Sequence, residues 1–123
     1  MSKLILSLII GLFIISSCTQ KSQNRSKIPF QGDIKEFKIT AKQFAFEPEI
    51  IEVSKGDRIR LIVTSVDVPH GISIPEYGIN ERLNPGEPVA IEFIADKEGD
   101  FTAFCSTFCG SGHSNMKGKI IVK

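Results

Sequence analysis

The fold of this chain is decided by an alternating segment, IRLIVT, at residues 59–64. Ile59, Leu61 and Val63 occupy every second position, so an extended chain places all three on one face. A period of two is typical of a β-strand with one buried side, whereas a helix repeats every 3.6 residues. The segment therefore predicts a strand that covers a hydrophobic core.

Similar strands are predicted on both sides of this segment. Turn residues separate them at positions 55–57, 84–86 and 97–100, and no stretch has the pattern of an amphipathic helix. A change of parity near Lys42 and Gln43 predicts a bulge or bend. We therefore expect one all-β domain, an antiparallel Greek-key β-sandwich or barrel. The further alternating positions are Phe37, Ile39 and Ala41, then Val89, Ile91 and Phe93, then Phe101 and Ala103, and a last apolar strand at 118–122.

Length and composition exclude several classes of protein. The chain has 123 residues and 13.6 kDa, with 41% hydrophobic and 24% charged residues. That hydrophobic content is too high for a disordered chain. The formal net charge of +1, with both signs mixed along the chain, predicts no binding of nucleic acid.

The first seventeen residues have the pattern of a secretory signal. Lys3 precedes an apolar run over residues 4–15, and small residues lead to Cys18. This pattern resembles the lipobox of bacterial lipoproteins, which implies a lipidated Cys18 and a location on the outer, periplasmic side of a membrane. The alternative is an uncleaved anchor helix. We expect a signal at 1–17, a flexible polar tether at 18–33 and the folded domain at 34–123.

The soft metal ligands of the chain fall into one group. The sequence has three Cys, two His and two Met. Met1 and Cys18 belong to the predicted signal and anchor. Four of the others lie within twelve residues of one another: Cys105, Cys109, His113 and Met116. The fifth, His70, is expected at the end of the 59–64 strand.

Two thiols, two imidazoles and a thioether favour copper among the common metals. Zinc is a poorer choice because the C-x3-C spacing is unusual for zinc sites and methionine is a poor zinc ligand. The residues alone therefore predict a copper site between a carboxyl-terminal loop and His70.

The motif Cys-x3-Cys-x3-His-x2-Met, with Asp-Val-x-His at residues 67–70, is similar to the CuA domain of cytochrome c oxidase subunit II, a cupredoxin. The resemblance extends over residues 36–123 and includes the Asn-Pro-Gly turn at 84–86 and Gly-Asp-Phe at 99–101. The short domains of ba3-type oxidases look most alike.

This resemblance implies a role for each ligand. Cys105 and Cys109 would be thiolates that bridge two copper ions, and His70 and His113 would each bind one of them. Met116 would be a weak ligand of one copper, and the backbone carbonyl of Thr107 a weak ligand of the other. From the residues themselves, Asp67 is expected either to hydrogen-bond to the imidazole of His70 and so orient it, or to be a solvated turn residue.

The resemblance also implies a function, electron transfer from a cytochrome c or similar donor to an oxidase core, subunit I. The domain would not be catalytic alone. Three features depart from the family pattern: a lipoprotein signal stands where transmembrane helices are usual, Thr107 stands where Glu is frequent, and the chain has no Trp. They bear on docking to an oxidase more than on the copper site.

Three alternatives remain open from the residues. A site that does not use Cys105 would be a mononuclear blue-copper site with one copper ion, and the protein an electron shuttle. A copper-delivery or assembly protein would use the same ligands transiently. A disulfide between Cys105 and Cys109 is possible in an extracytoplasmic protein, as an oxidised form without metal.

Overall fold

A computed structural model describes residues 33–123. Cys18, the predicted signal at 1–17 and nearly all of the predicted tether at 18–33 lie outside these residues. Two three-residue 3₁₀ turns occur at Pro75–Tyr77 and His113–Asn115. The strands are β1 (Ile34–Lys42), β2 (Ala45–Glu47), β3 (Ile50–Val53), β4 (Arg58–Ser65), β5 (His70–Ile74), β6 (Ile79–Leu83), β7 (Val89–Ile94), β8 (Gly99–Phe104) and β9 (Lys117–Val122).

The strands form two sheets. One sheet has the order β2-β1-β4-β7 and the other the order β3-β9-β8-β5-β6. The predicted all-β sandwich is confirmed, but it is not wholly antiparallel, because β1 pairs parallel to β4 and β3 parallel to β9. Between β1 and β4 the chain crosses to the second sheet and returns, so the two strands run in the same direction.

The core lies between the two sheets. The 59–64 segment forms most of β4, and its predicted inward residues Ile59, Leu61 and Val63 have no exposed surface. Ile72 and Ile74 of β5 are equally buried in the opposite sheet. Burial of such aliphatic side chains contributes about 1.5–3 kcal/mol each, so the inner faces of β4 and β5 fix the distance between the sheets.

Two local predictions need correction. The change of parity near Lys42 is a complete chain reversal, since β1 and β2 form an antiparallel hairpin in which Ala41 pairs with Phe46. His70 does not continue the 59–64 strand but begins β5. β5 gave no alternating signal because all five of its residues are buried.

The fold brings three loops to one end of the sandwich: the β1–β2 turn at Gln43 and Phe44, the β4–β5 loop at 66–69, and the β8–β9 loop at 105–116. The backbone amide of Gln43 donates to Asp67 of the β4–β5 loop, and its side chain donates to the carbonyl of Cys109 in the β8–β9 loop. Within residues 33–123, no helix is both long and apolar enough to cross a membrane.

Candidate metal centre

The β8–β9 loop is closed at its base and curled at its tip. At the base, the amide of Cys105 donates to the carbonyl of Met116 at 3.1 Å. At the tip, the amide of His113 donates to the carbonyl of Gly110 at 3.1 Å, which starts the 3₁₀ turn. These two bonds turn the side chains of Cys105, Cys109, His113 and Met116 toward a common centre.

The β4–β5 loop holds His70 in one orientation. Its imidazole is fully buried, and Nε2 lies 2.7 Å from Oδ1 of Asp67. The same carboxylate accepts a bond from the amide of Val68 at 2.6 Å. With Nε2 held by Asp67, the other ring nitrogen, Nδ1, points to the cysteines, as expected of a ligand histidine supported from behind.

The six predicted donors form two matched halves around the cysteine pair, whose sulfur atoms lie 3.6 Å apart. Cys105 Sγ lies 3.9 Å from Nδ1 of His70 and 3.1 Å from the carbonyl oxygen of Thr107. Cys109 Sγ lies 3.7 Å from Nδ1 of His113 and 3.8 Å from Sδ of Met116. Each half therefore has one thiol, one imidazole and one weak donor.

These separations suit donors that share a metal. In a tetrahedral site, bonds of about 2.3 Å to sulfur and 2.0 Å to nitrogen place the two donor atoms about 3.5 Å apart. Ligand atoms of His70, Cys105 and Cys109 all lie within 4.8 Å of one another, and all three residues are buried. Both cysteines are free thiols. The donor set and its spacing therefore fit soft-metal binding.

One thiol and the supporting carboxylate have shifted pKa values. Burial, reinforced by the adjacent Cys105, raises the pKa of Cys109 to about 11. A metal must displace that thiol proton on binding. Partial burial raises the pKa of Asp67, but bonds from the amides of Gln43 and Val68 and from His70 outweigh it, so the pKa is lowered overall. Asp67 is therefore a carboxylate that accepts a hydrogen bond from Nε2–H of His70.

Glycines allow the loops to pack closely. A Cβ on Gly71 would clash with Oγ of Ser106 and lie 3.0 Å from the backbone nitrogen of Thr107. A Cβ on Gly110 would lie 2.9 Å from the ring of Phe44, and one on Gly112 would clash with the same ring. The β8–β9 loop thus rests directly on β5 and on the β1–β2 turn.

Two residues at this centre were not predicted from the sequence. Gly71 follows the predicted ligand His70, and its importance is visible only once Ser106 is placed against it. Gln43 donates from its side chain to the carbonyl of Cys109. A single glutamine in a turn belongs to no metal-binding motif, so no sequence signal could have identified it.

Comparison with known proteins agrees with this fold. Residues 5–122 match the Cupredoxin-like domain family, and the chain belongs to that family. The predicted cupredoxin fold is thereby confirmed.

Individual relatives narrow the resemblance. The chain is 36% identical over 85 residues to cytochrome c oxidase subunit 2 of Thermus thermophilus, which covers 69% of this chain and 63% of that protein. It is 38% identical over 90 residues to nitrous-oxide reductase of Cupriavidus necator, which covers 70% of this chain and 14% of that protein. The chain thus spans less than two thirds of either relative.

A solved structure shows the same likeness. The periplasmic domain of cytochrome oxidase subunit II from Bradyrhizobium japonicum superposes with a TM-score of 0.66 at 26% identity, covering 72% of this chain and 83% of that one. The predicted resemblance to subunit II of cytochrome c oxidase is confirmed.

Proposed function

We propose that this protein is a one-electron carrier that binds two copper ions between His70, Cys105, Cys109 and His113. The observation that carries the proposal is the pair of matched halves, because a mononuclear site has no use for a second thiol with its own imidazole and weak donor. Copper held by these four side chains would supply one-electron redox chemistry.

The chain's own residues keep such a centre rigid. Met116 is fully buried and Cys105 and Cys109 nearly so, which excludes water from the cysteine pair. Asp67 fixes the imidazole of His70, and the carbonyl of Thr107 is fixed by the loop that rests on Gly71. A dry site with fixed ligands reorganises little when an electron arrives or leaves.

We propose that electrons pass through the His113 side of the centre. His113 is only partly buried, and its ring lies 5.6 Å from that of Phe108, which is 77% exposed. The donor would be a c-type cytochrome and the acceptor an oxidase core, in line with the subunit II relatives.

We further propose that the domain, residues 34–123, lies outside the cytoplasmic membrane on a lipid attached to Cys18. The signal pattern at 1–17 supports export, and the polar segment at 18–33 supports a tether. A tethered domain could reach a membrane-bound oxidase without a spanning helix of its own.

The number of copper ions tests the function directly. We expect about two copper ions per chain in the full-length protein, with an EPR spectrum of one electron shared by two copper nuclei. Cys105→Ser removes one of the two thiols, so the variant should hold one copper at most and lose the shared-electron spectrum. The matched control is Ser106→Ala, an exposed position next in the loop, which should leave both results unchanged.

The opposite results would count against the proposal. One copper per chain in the unmodified protein, with the spectrum of a single copper nucleus, would establish the mononuclear shuttle. Two copper ions that leave readily to an acceptor, together with slow electron exchange with a c-type cytochrome, would establish the delivery protein.

A further inference from the structure

Gln43 contacts both loops that carry the predicted ligands. Its side-chain Nε2 donates to the carbonyl oxygen of Cys109 at 2.7 Å. Its backbone amide donates to Oδ2 of Asp67, also at 2.7 Å. Gln43 is therefore hydrogen-bonded to the predicted ligand Cys109 and to Asp67. Asp67 in turn orients the predicted ligand His70.

The Asp67 contact extends to the buried histidine. Oδ2 of Asp67 is held by Gln43, and Oδ1 is 2.7 Å from Nε2 of His70. A carboxylate held at both oxygens cannot rotate without breaking one of these bonds. The position of His70 therefore depends on the β1–β2 turn as well as on its own strand.

The Cys109 contact is reinforced by close packing. A Cβ on Gly110 would lie 3.0 Å from Nε2 of Gln43 and 2.9 Å from the ring of Phe44. The loop therefore lies too close to the turn for a side chain at Gly110 to fit between them. Loss of the Gln43 hydrogen bond would remove one of the contacts that hold Cys109 in this position.

We infer that Gln43 is a positioning residue that sets the distance between the two halves of the site. This inference rests on the proposed function, since it takes those halves to hold copper. Residues that orient metal ligands from outside the coordination shell commonly change metal affinity 10–100-fold when they are replaced. Gln43 acts on both halves at once, through Cys109 on one side and Asp67 on the other.

Gln43→Met tests the side-chain bond alone. Methionine has nearly the same length but no donor, and every variant except proline keeps the backbone bond to Asp67. In the metal-free full-length protein, we expect amide hydrogen exchange at His113 and Asn115 to accelerate about three- to tenfold, the range for one lost hydrogen bond. In the copper-loaded protein, we expect the dissociation constant for copper to rise about tenfold.

Two further variants separate the hydrogen bond from other effects. Gln43→Glu also removes the donor but adds a charge, so agreement with Gln43→Met would attribute the change to the lost bond. Lys42→Met places the same side chain at the adjacent position, where the Lys42 ammonium forms its ion pair with Glu47 of the same hairpin and with no other residue of 33–123. It should leave loop exchange and copper affinity unchanged.

The inference fails if exchange at His113 and Asn115 and copper affinity both stay at wild-type values in Gln43→Met. It also fails if exchange accelerates equally in β4 and β7, because the residue would then stabilise the whole fold instead of the site. If the unmodified protein holds fewer than two copper ions, the proposed function is wrong, while the exchange measurement still decides whether Gln43 positions the loop.

Discussion

Single residues at this centre act mainly by controlling distance. Asp67 makes three hydrogen bonds with its two oxygens, to the amides of Gln43 and Val68 and to His70. Gly71 acts by having no side chain, which lets Ser106 and Thr107 lie directly against β5. The predicted ligands are thus placed by neighbouring residues that are not themselves predicted ligands.

Gly71→Ala should damage the site more than the fold. The added methyl would push against Ser106 and Thr107, so the β8–β9 loop must move away from β5. Overpacking of this kind costs about 1–3 kcal/mol of stability. We expect the free energy of unfolding to decrease by about 1–3 kcal/mol. Copper affinity, measured by competition with a chelator, should fall at least tenfold.

Gly78→Ala is the matched control for that prediction. Gly78 has a φ of 64°, and a methyl group added there would have no other atom within 4 Å. Alanine at this position therefore costs backbone strain of about 1 kcal/mol but touches no loop. Its copper affinity should stay at the wild-type value. Equal losses of affinity in both variants would show that affinity follows overall stability.

At the scale of strands, the exposed face of the β2-β1-β4-β7 sheet carries a row of ion pairs across three strands. Arg60 of β4 lies opposite Glu36 of β1 and Glu92 of β7. Arg60 Nη2 is 2.7 Å from Glu92, and Arg58 Nη2 is 3.0 Å from the other oxygen of that carboxylate. This row supports the strand order on the solvent side.

The stabilisation from Glu92 should depend on pH and salt. Hydrogen bonds from Arg60 and then Arg58 lower the pKa of Glu92 below its usual 4.5. A lowered pKa means that the stabilisation is complete above about pH 4.5 and is lost as the pH falls through the lowered value. We expect Glu92→Gln to unfold at a lower temperature than wild type at pH 7, and the difference to shrink on acidification and in 1 M salt.

Glu81→Gln provides the comparison, since Glu81 lies exposed on β6 and makes no ion pair within residues 33–123. Its unfolding temperature should match wild type throughout. The ion-pair assignment would be contradicted if the difference in unfolding temperature between Glu92→Gln and wild type stayed constant from pH 7 down to the pH at which Glu92 is protonated.

How much of this could be predicted from the sequence also depends on scale. Alternation identified β4 because one of its faces is buried and the other is not, and ligand spacing identified the β8–β9 loop because its donors are close in sequence. β5 escaped the same reasoning because every residue in it is buried. The parallel pairing of β1 with β4 and the contacts of Gln43 depend on which segments meet in space, which local periodicity does not encode.

At the scale of the whole molecule, few charged side chains lie in the loops around the predicted copper site. The loops at this end, residues 43–44, 66–69 and 105–116, contain one charged residue of the Asp, Glu, Lys and Arg types, Asp67. The 84–88 loop, whose Gly86 amide donates to the carbonyl of Ser65, adds Glu87. Asp67 is engaged with His70, and Glu87 accepts from Asn84 at 3.3 Å. Val66 and Phe108 are 61% and 77% exposed at this end. A partner therefore meets a surface that is largely uncharged, where the apolar side chains of Val66 and Phe108 lie among exposed polar ones such as Ser114 and Asn115.

This distribution predicts how electron exchange responds to ionic strength. Encounter between charged surfaces is accelerated by long-range attraction and slows steeply as salt screens it. With so few charges near the centre, we expect the second-order rate of reduction by a soluble c-type cytochrome to change less than about threefold between 0.01 and 0.5 M salt.

Phe108→Ala should slow the reaction at every salt concentration, because it removes exposed apolar area beside His113. Ala90→Ser, an exposed change on the outer face of β7, should not. A rate that falls tenfold or more across that range would show that the partner docks on one of the charged sheet faces instead.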